Sequence, residues 1–126
     1  MTRRFAHRLR CFLPVVVMGL LVTAEGCHSP FVQTIIDNQS DATLKLVEVD
    51  YPSASFGVET LAAHSKYHYR FKIQGSGTIT LQFADASGKL QTSTGPELSE
   101  GQEGSLQIII GRDRQVSWKP VLRTTK

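Results

Sequence analysis

Three histidines, His28, His64 and His68, lie beyond the first 26 residues and are the first candidates for metal chemistry. His64 and His68 are four apart, a spacing that puts two rings on one face of a helix. The residues around them read as a turn passing into a strand, where that spacing loses its meaning. His68 also falls on the wet face beside Arg70 and Lys72, whose charges repel a cation. Solvated histidines are expected, and no metal site. Two acidic stretches, Asp37 to Asp41 and Asp85 to Lys89, lack the carboxylate spacing and terminal Glu of a twelve-residue calcium loop. Turn chemistry accounts for their Asp, Asn, Ser and Gly residues. Ser76, in Gly75-Ser76-Gly77, has no strand-elbow setting of the G-x-S-x-G kind. No pair of carboxylates is placed for glycoside hydrolysis, and no glycine-rich loop precedes a helix that would hold phosphate. No catalytic residue, no cofactor and no enzymatic activity is expected; a small hydrolase ranks last among the readings.

Cys27 is the residue with the clearest chemistry. Upstream lie Arg3, Arg4, Arg8 and Arg10, then the apolar run 12–24, then Ala24-Glu25-Gly26-Cys27. A basic head, a short apolar middle and a small-residue exit describe a secretory signal. The run is too short for a bilayer span, which takes about 20 apolar residues. Residues 24–27 resemble the lipobox of bacterial lipoproteins: Gly26 matches, Ala24 replaces the usual Leu, and Glu25 departs from the pattern. The resemblance implies cleavage before Cys27, acyl chains such as palmitate carried by Cys27, and a short tether over residues 27–30. His28 is not the aspartate associated with inner-membrane retention in such proteins, so outer-membrane delivery is the favoured expectation; otherwise the chain is periplasmic or secreted.

Subtracting the leader changes the charge. The whole chain has 14 Lys+Arg against 11 Asp+Glu. Four arginines and Glu25 fall in residues 1–26, so the remainder balances at 10 against 10. A basic excess is the electrostatic footprint of nucleic-acid binding, and no nucleic-acid partner is expected. Cys11 goes with the leader, leaving Cys27 without an intrachain disulfide partner. The strongest surface feature is the basic stripe Lys66, His68, Arg70 and Lys72, which could touch anionic headgroups, lipopolysaccharide or acidic glycans. Its bland alternative is a solvated strand face that discourages edge pairing. Tyr51, Phe56 and Tyr67 could form a sugar-binding platform, although the alternation places Tyr67 on the dry face, as core.

The elements that must position these residues are strands. From Phe31 onward Val, Ile, Thr, Tyr and Phe recur with period two, broken by turn residues every 8–12 positions, as in a sandwich or barrel. Strands are expected over 31–37, 42–51, 67–73, 78–83, 90–94, 105–110 and 115–119. A phase shift of the apolar face after Leu46 predicts a bulge near Leu46-Val47. Residues 51–58 read as a connection crossing from one sheet to the other. Residues 67–73 and 78–83, joined through Gln74-Gly75-Ser76-Gly77, read as an antiparallel hairpin carrying the core. Gly95-Pro96 is expected to break a polar edge strand, 97–104 to be an acidic loop, 105–110 to be central, Pro120 to end the last strand, and 121–126 to be a basic tail.

About seven strands in residues 31–120 define an all-β, antiparallel sandwich of the immunoglobulin-like or fibronectin type. The phrases Asn38-Gln39-Ser40, Tyr51-Pro52-Ser53-Ala54-Ser55-Phe56-Gly57 and Phe83-Ala84-Asp85-Ala86-Ser87-Gly88-Lys89 resemble those of small bacterial lipoproteins with an immunoglobulin-like domain. That resemblance implies export and a sandwich and brings no activity. The expected protein is a lipid-anchored envelope component with a non-catalytic binding or assembly role, for an envelope protein or glycan partner; the runner-up is a dedicated glycan- or envelope-ligand-binding module.

Overall fold

The computed structural model describes residues 29–124, and all their regular structure is β. Eight strands follow in order: β1 Val32–Asn38, β2 Leu44–Tyr51, β3 Ala54–Leu61, β4 Lys66–Phe71, β5 Gly77–Ala84, β6 Leu90–Leu98, β7 Gln102–Ile110 and β8 Val116–Thr124. They form two four-stranded sheets, ordered β4-β1-β7-β8 and β3-β2-β5-β6. The expected sandwich is present, with eight strands rather than seven. All neighbouring pairs are antiparallel except β1 and β7, which run parallel from Val32↔Gly104 to Asn38↔Ile110.

Period-two alternation places one row of each strand between the sheets. Val32 and Ile36 of β1, Leu106, Ile108 and Ile110 of β7, Ile79, Leu81 and Phe83 of β5, and Val47 and Val49 of β2 are all buried. β7 is central, as its apolar run predicts. The bulge is also where the phase shift puts it: pairing of β2 with β5 slips between Lys45 and Glu48. Leu46 adopts φ 50° there and points out, 60% exposed. Opposite, Gly57 sits against the Val47 carbonyl, where an added Cβ would collide with the oxygen. The expected loop at Asp85–Lys89 is a hairpin turn between β5 and β6, with Gly88 at φ 81°.

Other expectations are corrected. Residues 51–58 do not cross between sheets: Pro52 and Ser53 make a tight turn, and β3 returns beside β2 with Tyr51 opposite Ala54. β4 and β5 are not a hairpin. β4 pairs with β1 in the first sheet and β5 with β2 and β6 in the second. Ile73, two residues past β4 and 1% exposed, stays in the core as the chain passes from the first sheet to the second; an inward row is kept by such a crossing as well as by a hairpin. β6 continues through Gly95-Pro96 to Leu98, and β8 through Pro120 to Thr124. Both are edge strands, where a missing backbone donor faces away from the sheet. The expected acidic loop 97–104 therefore shrinks to residues 99–101. The basic tail expected from residue 121 is, through Thr124, the second half of β8.

Because each strand runs opposite to the one before it in the chain, the loops gather at two distinct ends. Loops 39–43, 62–65, 85–89 and 111–115 meet at one. The chain entry at Ser29, the 52–53 turn and loops 72–76 and 99–101 meet at the other, together with Thr124.

Candidate functional site

Cys27 lies outside the described residues. Of the basic stripe, Lys66, His68 and Arg70 project from the outer side of β4 and are exposed; Lys72 follows just beyond the strand. In register, they stand beside Asp37, Ile35 and Gln33 of β1. The Arg70 guanidinium carbon is 3.7 Å from the centroid of the Phe31 ring, a cation–π contact that holds it at the chain-entry end. His64 is not drawn toward His68. Its Nε2 lies 2.8 Å from Asp41 Oδ1 in a contact between two exposed side chains. Among the described residues no three His, Cys, Asp or Glu side chains converge as a metal site.

The two acidic turns work as turns. Asp37 accepts a bond from Gln39 Nε2 at 3.0 Å. Asp85, 4% exposed, accepts at Oδ1 from the Ser87 N–H and hydroxyl and from the Lys89 N–H, at 2.9, 2.5 and 3.1 Å. Its Oδ2 accepts from Gln91 Nε2 at 3.1 Å and from Arg114 Nη1 at 2.8 Å. The Ser87 hydroxyl above all, with Gln91 and the two backbone donors, holds the Asp85 carboxyl far below the usual carboxylate range, against an opposing effect of burial. A carboxylate whose lone pairs are so taken up by N–H and O–H donors has none left over for a metal ion. Arg114 reaches it from a left-handed position, φ 65°, in the 111–115 turn. A cleft of about 290 Å3 opens beside this pair, walled by Ser40, Asp41, Arg112 and Arg114.

Sequence reasoning missed Asn38. Fully buried, its Nδ2 donates to the carbonyls of Ala42, Leu61 and Ala62, while its Oδ1 accepts from the Ser40 N–H and hydroxyl. One side chain thereby fastens the 39–43 loop to the end of β3. Asn-x-Ser at a strand end carries the signal for the local turn only; the partners 23 and 24 residues away leave no trace in the spacing.

The aromatic residues gather where edge strands β3 and β4 meet. Phe56 stacks on Tyr69 with centroids 4.2 Å apart and planes 13° apart, and Tyr51 and Phe71 lie 4.4 Å apart behind them. Tyr67 and Phe71 pack inward as expected. Tyr69, on the same side of β4, is 38% exposed because the seam between the sheets is open beside it. Burial, then proximity to Tyr69, raises the Tyr51 phenol above its ordinary value. The opposite seam is closed by Trp118, whose Nε1 donates to Ser93 Oγ at 3.0 Å.

No known protein family and no curated protein matches the chain. Among solved structures it is similar to an NMR structure of a protein from Eubacterium rectale, at 17% sequence identity and a TM-score of 0.50. The match covers 75% of this chain and 90% of that one. At that identity the likeness speaks for the sandwich fold.

Proposed function

We propose that the protein is exported and held on the cell envelope by acyl chains on Cys27, and that its sandwich serves there in a non-catalytic binding or assembly role. The observation that carries this reading is the placement of the described domain behind the cysteine. Both sheets draw all their strands from residues 32–124, and β1 begins within five residues of Cys27. Cleavage before Cys27 therefore removes no strand from either sheet. By its resemblance to lipoproteins that carry no aspartate after the cysteine, the chain goes to the outer membrane.

The test is metabolic labelling with palmitate. The natural protein takes up label and fractionates with membranes; Cys27→Ser takes up none, leaves the membrane fraction and keeps its β circular dichroism. An unlabelled natural protein, or a mature amino terminus other than Cys27 by mass spectrometry, defeats the proposal.

A second reading, a glycan- or envelope-ligand-binding module, draws on one observation. The half-exposed Tyr69 ring, stacked on Phe56, joins Tyr51 and Tyr67 in a contiguous aromatic ledge at the β3–β4 seam. Aromatic side chains of this kind present an apolar body and a polar tip to a ligand.

A further inference from the structure

The two outer faces of the sandwich carry opposite charge. On the sheet β4-β1-β7-β8, Lys66 and Arg70 stand exposed along one edge strand and Lys119 and Arg123 along the other. Between them lie Gln33, Ile35, Ser105, Gln107 and Ile109, an uncharged middle. The two carboxylates of this face, Asp37 and Glu103, are both buried. Gln39 donates to Asp37, and Arg123 Nε donates to Glu103 at 3.0 Å. The outer face of the other sheet carries Glu48, Asp50, Glu59 and Glu97 against Lys45 alone. The Lys45 Nζ donates to Thr60 Oγ1 at 3.2 Å.

The basic face is also the one beside the anchor. Ser29, two residues past Cys27, and Phe31 wall one side of a hollow of about 320 Å3. Gln33, Arg70, Glu103 and Arg123 wall the rest. Arg123 is engaged by Glu103, whereas Arg70 rests on the Phe31 ring and forms no ion pair with another described residue. Lys72 follows it two positions on. Of the acids at this end, Glu103 is buried and engaged by Arg123, Asp50 and Glu97 belong to the other sheet, and Glu100 lies in the 99–101 loop.

We infer that the basic face, and not the acidic one, lies against the anionic phospholipid headgroups of the membrane that holds Cys27, with a headgroup phosphate received at Arg70 and Lys72 beside the hollow. The inference rests on the acylation proposed above. Two residues of chain reach at most about 7 Å, so an acylated Cys27 keeps Ser29, at the edge of the hollow that Arg70 also walls, within roughly one Debye length of the surface. There the negative potential attracts each Lys or Arg, and guanidinium pairs with phosphate through charge-assisted hydrogen bonds. The acidic face is repelled by the same field. A short tether with cations on one side of its exit and carboxylates on the other thus fixes how the domain lies.

The experiment uses the exported protein purified from cells and reconstituted on vesicles, with a dye on Gln107→Cys (basic face) or Thr80→Cys (acidic face) and a quencher on lipid headgroups. On vesicles containing phosphatidylglycerol, the Gln107 position is quenched more strongly than the Thr80 position. That difference is lost on phosphatidylcholine vesicles, at high salt, and in Arg70→Gln/Lys72→Gln. It persists in Lys45→Gln, which removes a cation from the other face. Equal quenching of both faces on phosphatidylglycerol, or a difference indifferent to lipid charge, overturns the inference even where palmitate labels Cys27. If the double variant loses its β circular dichroism, Lys119→Gln takes its place and is expected to shrink the difference. Chemical-shift changes at Arg70 with inorganic phosphate alone, without dependence on lipid charge in the vesicle assay, would make free phosphate the ligand and equally overturn it.

Discussion

Asp85 concentrates much of the polar chemistry of the far end of the sandwich on one carboxylate. Five hydrogen bonds converge on it from three parts of the chain: its own turn, the start of β6 and the 111–115 turn. The Ser87 hydroxyl first, then Gln91 and the Lys89 and Ser87 N–H groups, favour the ionised form and lower its pKa against the opposing effect of burial. A carboxyl whose folded-state pKa is depressed contributes stability that is present above its unfolded value of about 4 and is lost as pH falls. Urea unfolding of the natural protein should therefore show stability declining between about pH 5 and pH 3. Asp85→Asn keeps the side chain's shape and removes its charge. It is expected to be less stable at neutral pH and to show a shallower decline over that range; parallel pH profiles would place the stabilisation elsewhere. The sequence announced Asp85 as a turn residue through Asp-Ala-Ser-Gly-Lys, and that part is correct. Its bond to Arg114, 29 residues away, was not legible, because an Arg in a polar turn has no pattern that names its partner.

Among the elements, the edge strands show how local rules and tertiary placement interact. Pro96 and Pro120 read as strand breakers and proved to be interior residues of β6 and β8. A proline stops a strand only where its missing N–H is needed by a neighbour, and an edge strand has positions whose N–H faces solvent. The two strands meet across the closed seam of the sandwich through Trp118 and the stretch around Gly95. A Cβ added at Gly95 would stand 2.7 Å from the Trp118 ring, so the glycine is required by close approach rather than by a turn. Gly95→Ala must displace the indole and strain its bond to Ser93. A loss of about 1–3 kcal/mol is expected, the usual cost of overpacking. Trp118 is the single tryptophan, so a shift in its emission maximum checks the displacement directly. The β4–β5 connection teaches the same lesson from the other side. Alternation through Tyr67, Phe71 and Ile73 correctly named the inward row, yet a continuous inward row is equally compatible with a hairpin and with a crossing between sheets.

At the scale of the whole molecule, the sheets are coupled where Phe71 of β4 meets Tyr51 of β2 and Phe56 of β3, with ring centroids 4.4 and 5.4 Å away. Phe71 is 3% exposed and bridges the two sheets at their β3–β4 seam. Phe71→Ala should cost about 3–5 kcal/mol, the range for deleting a buried aromatic. The loss should appear as one transition in urea, because neither sheet buries its inner face without the other. An unchanged midpoint would mean that Phe71 does not join the sheets.

The residue order by itself determined that the chain is built of strands, where most turns fall, where the β2 bulge lies and which row of each strand is apolar. These are local properties, written in period-two alternation and in the dihedral preferences of Gly, Pro, Asn and Asp. It also set the charge balance beyond Cys27 at neutrality. Only the tertiary structure decided which strand lies beside which, that β1 and β7 run parallel, and that neutral bookkeeping hides a basic face and an acidic one. The physical reason is common to all three. Hydrogen-bonded pairing and the sorting of charge between faces depend on residues far apart in the chain, and alternation tells inside from outside without telling one sheet from the other.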